Sequence, residues 1–164
     1  MKQDTLWTND IKKIKTSKMQ KHLKIDTLII GGGLAGISTL FELSNKLDNI
    51  ALIERDQIGF GVTSRTTGKL TFMQGLCYHK LENTYNFDTA KLYLESQIEA
   101  IKHVSHIISK NAIKCNFNWT DAYVFTNNED KISNFDKEIN FYNKVKISYE
   151  DNTKLPFDAK NKRV

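Results

Sequence analysis

An α/β fold is what this sequence predicts, and three observations carry the prediction. Residues 27–30 (Thr-Leu-Ile-Ile) are apolar or β-branched throughout, the pattern of a parallel strand buried on both faces. They run into Gly31-Gly-Gly33-Leu34-Ala35-Gly36, after which Ile37, Leu40, Phe41 and Leu47 recur near helical spacing. A second apolar run, 51–53, ends in Glu54, which lies 21 positions after Gly33. Strand, glycine turn, helix, strand and acid is the order of a dinucleotide-binding βαβ unit.

Each residue of that unit has a physical task. Gly31 permits the tight turn out of the strand, Gly33 lets backbone approach a pyrophosphate, and Gly36 lets helix pack on strand. The first helical residues, Leu34 and Ala35, present unpaired N–H groups and the positive end of the helix dipole to phosphate. Glu54, at the carboxyl end of the second strand, is placed to accept hydrogen bonds from a ribose. A bare glycine cluster would also fit a surface turn; the strand, helix and acid arriving in register decide for a nucleotide site.

With 164 residues the chain is long enough for one ordinary domain, and 40% hydrophobic with 26% charged residues is usual for a globular protein. The net charge of +5 is diffuse, densest in the first 25 residues and at the end (Lys154, Lys160, Lys162, Arg163). Solvated lysine termini explain that better than a nucleic-acid surface. No apolar run approaches a membrane span, and the N-terminus lacks the apolar stretch of a signal peptide. Cys77 and Cys115 are too few for a disulfide framework, so a reducing cytoplasm is expected.

Residues 1–24 read as a basic arm, either a short amphipathic helix or an extended segment pinned to the body by Trp7. After Glu54-Arg55 comes Gly59-Phe-Gly61-Val-Thr63-Ser64-Arg65-Thr-Thr67-Gly68-Lys69. A nicotinamide-binding domain would start another amphipathic helix about here. A glycine- and hydroxyl-rich loop with two cations suits instead a second line of contact along an extended cofactor.

The run Ile29–Gly36, Glu54-Arg55 and the loop 59–70 resemble the N-terminal part of the FAD-dependent oxidoreductases of the D-amino-acid oxidase/glycine oxidase superfamily. Within it, the chain is most similar to the branch that often carries a C-terminal Rieske domain. The likeness continues through Gln74-Gly-Leu76, Tyr78-His-Lys-Leu81, a long helix and Asp121-Ala-Tyr-Val-Phe125. The resemblance implies FAD as cofactor and a small-molecule amine or amino acid as substrate. It implies pyrophosphate contacts at Gly31, Gly33, Leu34, Ala35 and Gly36, and a ribose contact at Glu54. Further cofactor contacts fall at Arg55, Thr63, Ser64, Thr67 and Lys69. The fold it implies is α/β: the N-terminal βαβ part of a Rossmann-like FAD-binding domain (25–112) and the start of an antiparallel α+β substrate domain (113–164).

The remaining elements follow from pattern. A helix over 88–110, capped by Asp88, carries the stripe Leu94, Ile98, Ile101 and Ile108. Short strands are expected at 117–119, 122–126 and 145–149, with an amphipathic helix at 129–144 facing inward through Ile132, Phe135, Ile139 and Tyr142. Cys77-Tyr-His79 has half the form of a Rieske ligand set, but the C-x-x-H partner is absent. His103, His106 and Cys115 lack the remaining ligands of a metal site, so none is expected. A catalytic residue cannot be named.

Only two parallel strands of the nucleotide fold are visible, fewer than a doubly wound sheet needs. The chain therefore reads as an N-terminal fragment, a truncated product or a frameshifted end, with apolar faces that invite self-association or a completing partner chain. Four readings stay open: an FAD-dependent oxidoreductase or its front part; a non-catalytic dinucleotide-binding remnant or interaction module; a nicotinamide-dependent dehydrogenase, disfavoured by the loop; and a nucleic-acid binder, disfavoured by the diffuse charge.

Overall fold

The computed structural model describes Thr5, Trp7 and residues 14–19, 22–157 and 163–164. The helix and extended-arm readings of 1–24 lie largely outside the described residues. The chain is α/β and divides into two compact units, Met1–Lys69 and Leu70–Val164. The division precedes the 112/113 boundary that the resemblance implied.

In the first unit, β1 (Thr27–Ile30) and β2 (Ile50–Ile53) pair in parallel, with Thr27 opposite Ile50 and Ile30 opposite Ile53. Helix α1 (Leu34–Leu43) makes the crossover. It packs so closely on β1 that a Cβ on Gly36 would stand 1.9 Å from the Gly31 carbonyl oxygen, a position no side chain can occupy. Ile29 lies on the same side. On the other side, Leu28, Ile30 and Ile53 are 49%, 80% and 40% exposed. A strand expected to be buried on both faces is thus covered on one among the described residues, because the unit offers a single helix and a sheet has two faces.

The second unit is helical: α2 (Tyr78–Thr84), α3 (Phe87–Lys110) and α4 (Ile132–Val145). Helix α3 starts one residue before its expected start. Its cap is the Asn86 side chain, which accepts from the Thr89 N–H at 2.8 Å, and Asp88 lies in the first turn, where a carboxylate complements the helix dipole. Tyr78, Ala90, Leu94, Phe141 and Tyr142 form the core, with the Tyr78 and Phe141 rings stacked at 5.4 Å. No helix among the described residues is long and apolar enough to cross a membrane.

The strands expected at 117–119, 122–126 and 145–149 are absent among the described residues. Thr126 makes one isolated antiparallel bridge, to Arg163. Val145 closes α4, and the residues after it cap the helix: Lys146 takes a left-handed conformation (φ 60°), and the Ile147 N–H donates to the Tyr142 carbonyl at 3.0 Å. That is the pattern of a Schellman end, with the apolar residue after the cap packed on the core. Arg163 corrects the reading of solvated basic termini. Its guanidinium meets Asp151 at 2.8 Å and Asp136 at 2.6 Å and lies over the Phe135 ring, while Val164 is buried.

Helix α4 buries two of the four expected positions and two others beside them. Phe135, Glu138, Phe141 and Tyr142 are the buried positions, whereas Ile132 and Ile139 are half-buried. Glu138 is 1% exposed and serves as the N-terminal cap of α2 from another helix. Its Oε1 accepts from the Tyr78 N–H at 3.0 Å and its Oε2 from the His79 N–H at 2.8 Å. The His79 Nδ1 lies 2.7 Å from the same Oε2, the arrangement of a ring N–H donating to a carboxylate. Burial, with the Glu138 charge next in effect, pushes the neighbouring Cys77 thiol up, so it stays protonated.

Candidate functional site

The Gly31–Gly36 turn sits at the carboxyl ends of both strands. Gly31 adopts φ 106°, a backbone conformation that side-chain-bearing residues avoid, and its N–H donates back to the Ile53 carbonyl at 2.8 Å. Gly33 is the N-cap of α1 in extended conformation and offers no side chain for the helix N–H groups. The loop supplies one instead: Thr63 Oγ1 accepts from the Leu34 N–H at 3.0 Å. The next amides, those of Ala35 and Gly36, have no carbonyl one turn behind them, as in any helix start. The first turn therefore keeps donors aimed outward.

Beside the turn lies an open groove of about 300 Å³ lined by Ile30, Gly31, Ile53, Glu54 and Arg55. Glu54 links the two loops that form it. Its Oε2 accepts from the Gly32 N–H at 2.7 Å and its Oε1 from the Asp56 N–H at 2.8 Å. These backbone donors, Asp56 foremost and then Gly32, hold its carboxyl below the ordinary value of 4.5. A depressed folded-state value means that the ionised form favours the folded chain. The contribution is complete above pH 4.5 and vanishes as pH falls through the lowered value. Glu54→Gln is accordingly expected to lower the urea midpoint at pH 7, with the gap to the parent closing as both are titrated towards pH 3. A gap that stays constant with pH would assign the effect to packing.

The structure brings Gly31, Gly33, Leu34, Ala35, Gly36, Glu54, Arg55 and Thr63 to one end of the sheet. The Arg55 side chain is 92% exposed and pairs with Asp56 at 3.3 Å. Ser64 is turned inward: it is buried and its hydroxyl donates to the Gly61 carbonyl at 3.1 Å. Thr67 and Lys69 are exposed on the loop beyond. Sequence reasoning passed over Gly32, which is buried. A Cβ there would stand 2.6 Å from Ile58 and 3.1 Å from Glu54. Its signal was present as the middle of three glycines, a position the dinucleotide motif leaves free.

A glycine turn joining a parallel strand to a helix, with an acid closing the second strand, defines a dinucleotide-binding βαβ unit. Comparison with known proteins narrows the class. Residues 26–156 match the family described as FAD dependent oxidoreductase (DAO), and the chain belongs to that family. It is 30% identical over 97% of its length to YhfW of Bacillus subtilis (strain 168), a protein named for a Rieske 2Fe-2S iron-sulfur centre. It is 23% identical over 68% of its length to gamma-glutamylputrescine oxidoreductase of Escherichia coli (strain K12). The chain spans 31% and 26% of the lengths of these two relatives. No solved structure matches.

Proposed function

We propose that the first unit is the ADP-binding part of a Rossmann-like FAD domain, and that the whole oxidoreductase oxidises a C–N bond of a small amine or amino acid. The observation that carries this is the space at Gly33. A Cβ there would meet only Thr63 Oγ1, at 3.3 Å, so the protein itself does not require glycine for packing. A pyrophosphate lying across the first turn of α1 does require it. Glu54 fits the adjoining ribose: two backbone donors occupy part of its acceptor capacity, and the rest remains for hydroxyls.

In this reading Ala35 and Gly36 hold the pyrophosphate with backbone N–H groups, Leu34 opens the helix whose positive end faces it, and Thr63 stays on the Leu34 amide. Arg55, Thr67 and Lys69 bring hydroxyl and positive charge to the outer side, while Ser64 shapes the loop from within. FAD bound there supplies the hydride acceptor for the oxidation. The substrate-binding groups are assigned outside this unit. A cytoplasmic location agrees with two unpaired cysteines, and self-association or a completing chain would cover the bare sheet face.

The bare sheet face, where Ile30 is 80% exposed, also suits a second reading, a non-catalytic dinucleotide-binding remnant or interaction module. A visible absorption spectrum of the purified protein, before and after denaturation, tests the proposal. Flavin bands released in stoichiometric amount support the FAD site. A colourless protein that takes up no added FAD refutes it for this chain. Flavin uptake with no bleaching by any amine or amino acid selects the remnant.

A further inference from the structure

The loop 63–69 is held at its far end by a residue from the beginning of the chain. The Trp7 Nε1–H donates to the Thr66 carbonyl at 2.6 Å. The outer edge of the indole's six-membered ring lies against Gly68, so closely that a Cβ on Gly68 would stand 2.6 and 2.7 Å from two ring carbons. Gly68 also has φ 71°. Glycine is thus required twice, by the backbone and by the ring above it. At its near end the same loop is tied to α1 through Thr63 and the Leu34 amide. Both ties lie within the first unit.

On the reading of this unit as a dinucleotide site, we propose that Trp7 is a positioning residue: it clamps the loop at Thr66 and Gly68 and so fixes Thr63 over the start of α1, where the pyrophosphate binds. The role is mechanical. Between its two anchors the loop spans only a few residues, and a 3-10 turn over Thr63–Arg65 makes the near half stiff. Fixing Thr66 and Gly68 therefore fixes Thr63. Without the clamp the loop must be ordered by the ligand, and the ordering entropy is lost from the affinity. The Trp7 ring is 39% exposed, so its loss removes a brace from the surface and leaves no hollow core.

The test uses two readouts. Arg65 and Lys69 are exposed tryptic sites flanking the clamp. In Trp7→Ala, cleavage after both is expected to accelerate severalfold relative to cleavage after Lys110, with the melting temperature of the whole chain little changed. FAD affinity is expected to fall about tenfold. Trp7→Phe keeps an aromatic ring but loses the N–H and the indole carbons nearest Gly68, and should recover part of the tryptic protection and part of the affinity. If Trp7→Ala proves unstable, Trp7→Phe and Gly68→Ala carry the comparison. Parental cleavage rates in the variants overturn the clamp. Faster cleavage with unchanged FAD affinity overturns its connection to the cofactor. A parent that binds no FAD refutes the proposed function instead, while the tryptic comparison still decides whether Trp7 holds the loop.

Discussion

Replacing Glu138 by alanine is expected to cost the second unit about 3–5 kcal/mol, since each buried donor left without an acceptor costs about 1–3 kcal/mol. The substitution leaves the Tyr78 and His79 amides and the His79 ring without their acceptor, all in a site that is closed to water. A small domain has only about 5–15 kcal/mol of stability in total, so the variant should unfold near physiological temperature. Glu138→Gln keeps one acceptor oxygen and should fall between parent and alanine. Urea unfolding followed by helical circular dichroism gives the three values. A loss below about 1 kcal/mol for the alanine variant would mean that solvent reaches the α2 start and replaces the carboxylate.

Gly33→Asp is expected to separate binding from folding. The Gly33 backbone is extended (φ −79°, ψ −175°), and the position is the N-cap of α1, where aspartate is among the preferred residues. Only Thr63 Oγ1 must move, by a few tenths of an ångström, to admit the new side chain. Stability should stay within about 0.5 kcal/mol of the parent. A carboxylate facing a pyrophosphate costs several kcal/mol, so FAD affinity should drop at least about a hundredfold, roughly 3 kcal/mol. Gly36→Ala behaves differently: its methyl group collides with the Gly31 carbonyl, and binding is lost because the turn itself is lost. Titration with FAD alongside thermal melts distinguishes the two. Gly33→Asp binding FAD as the parent does would place the pyrophosphate elsewhere.

The βαβ unit was legible because every constraint in it is local. Strand, turn, helix and acid fall within residues 26–54, and the register of β1 on β2 follows directly from the crossover. Glu138 was not legible. A glutamate in a charged amphipathic segment reads as solvated, and the two amides it satisfies lie 60 and 59 positions earlier in the chain. The run Val145-Lys-Ile-Ser-Tyr149 alternates as a strand does, yet the alternation serves a helix end, with Ile147 turned onto the core. Trp7 was legible as a pin, but its partner was not, since nothing in the sequence pairs an early indole with a glycine 61 positions later. What pattern cannot supply is the identity of a distant partner.

The different reach of these contacts gives the two units different histories on the ribosome. The ties of the first unit, from Trp7 to Thr66, Gly32 to Glu54 and Leu34 to Thr63, close once residue 68 has left the exit tunnel. The nascent chain can assemble that unit before the rest has been translated. Helix α2 emerges soon afterwards but must wait for Glu138, some sixty codons later, before its first amides are satisfied. During that interval Tyr78 has no Phe141 to stack on, and the growing polypeptide carries an aromatic surface with no counterpart. A pause in translation between these codons would lengthen the exposure, and so would slow elongation through the lysine- and asparagine-rich stretch that separates them.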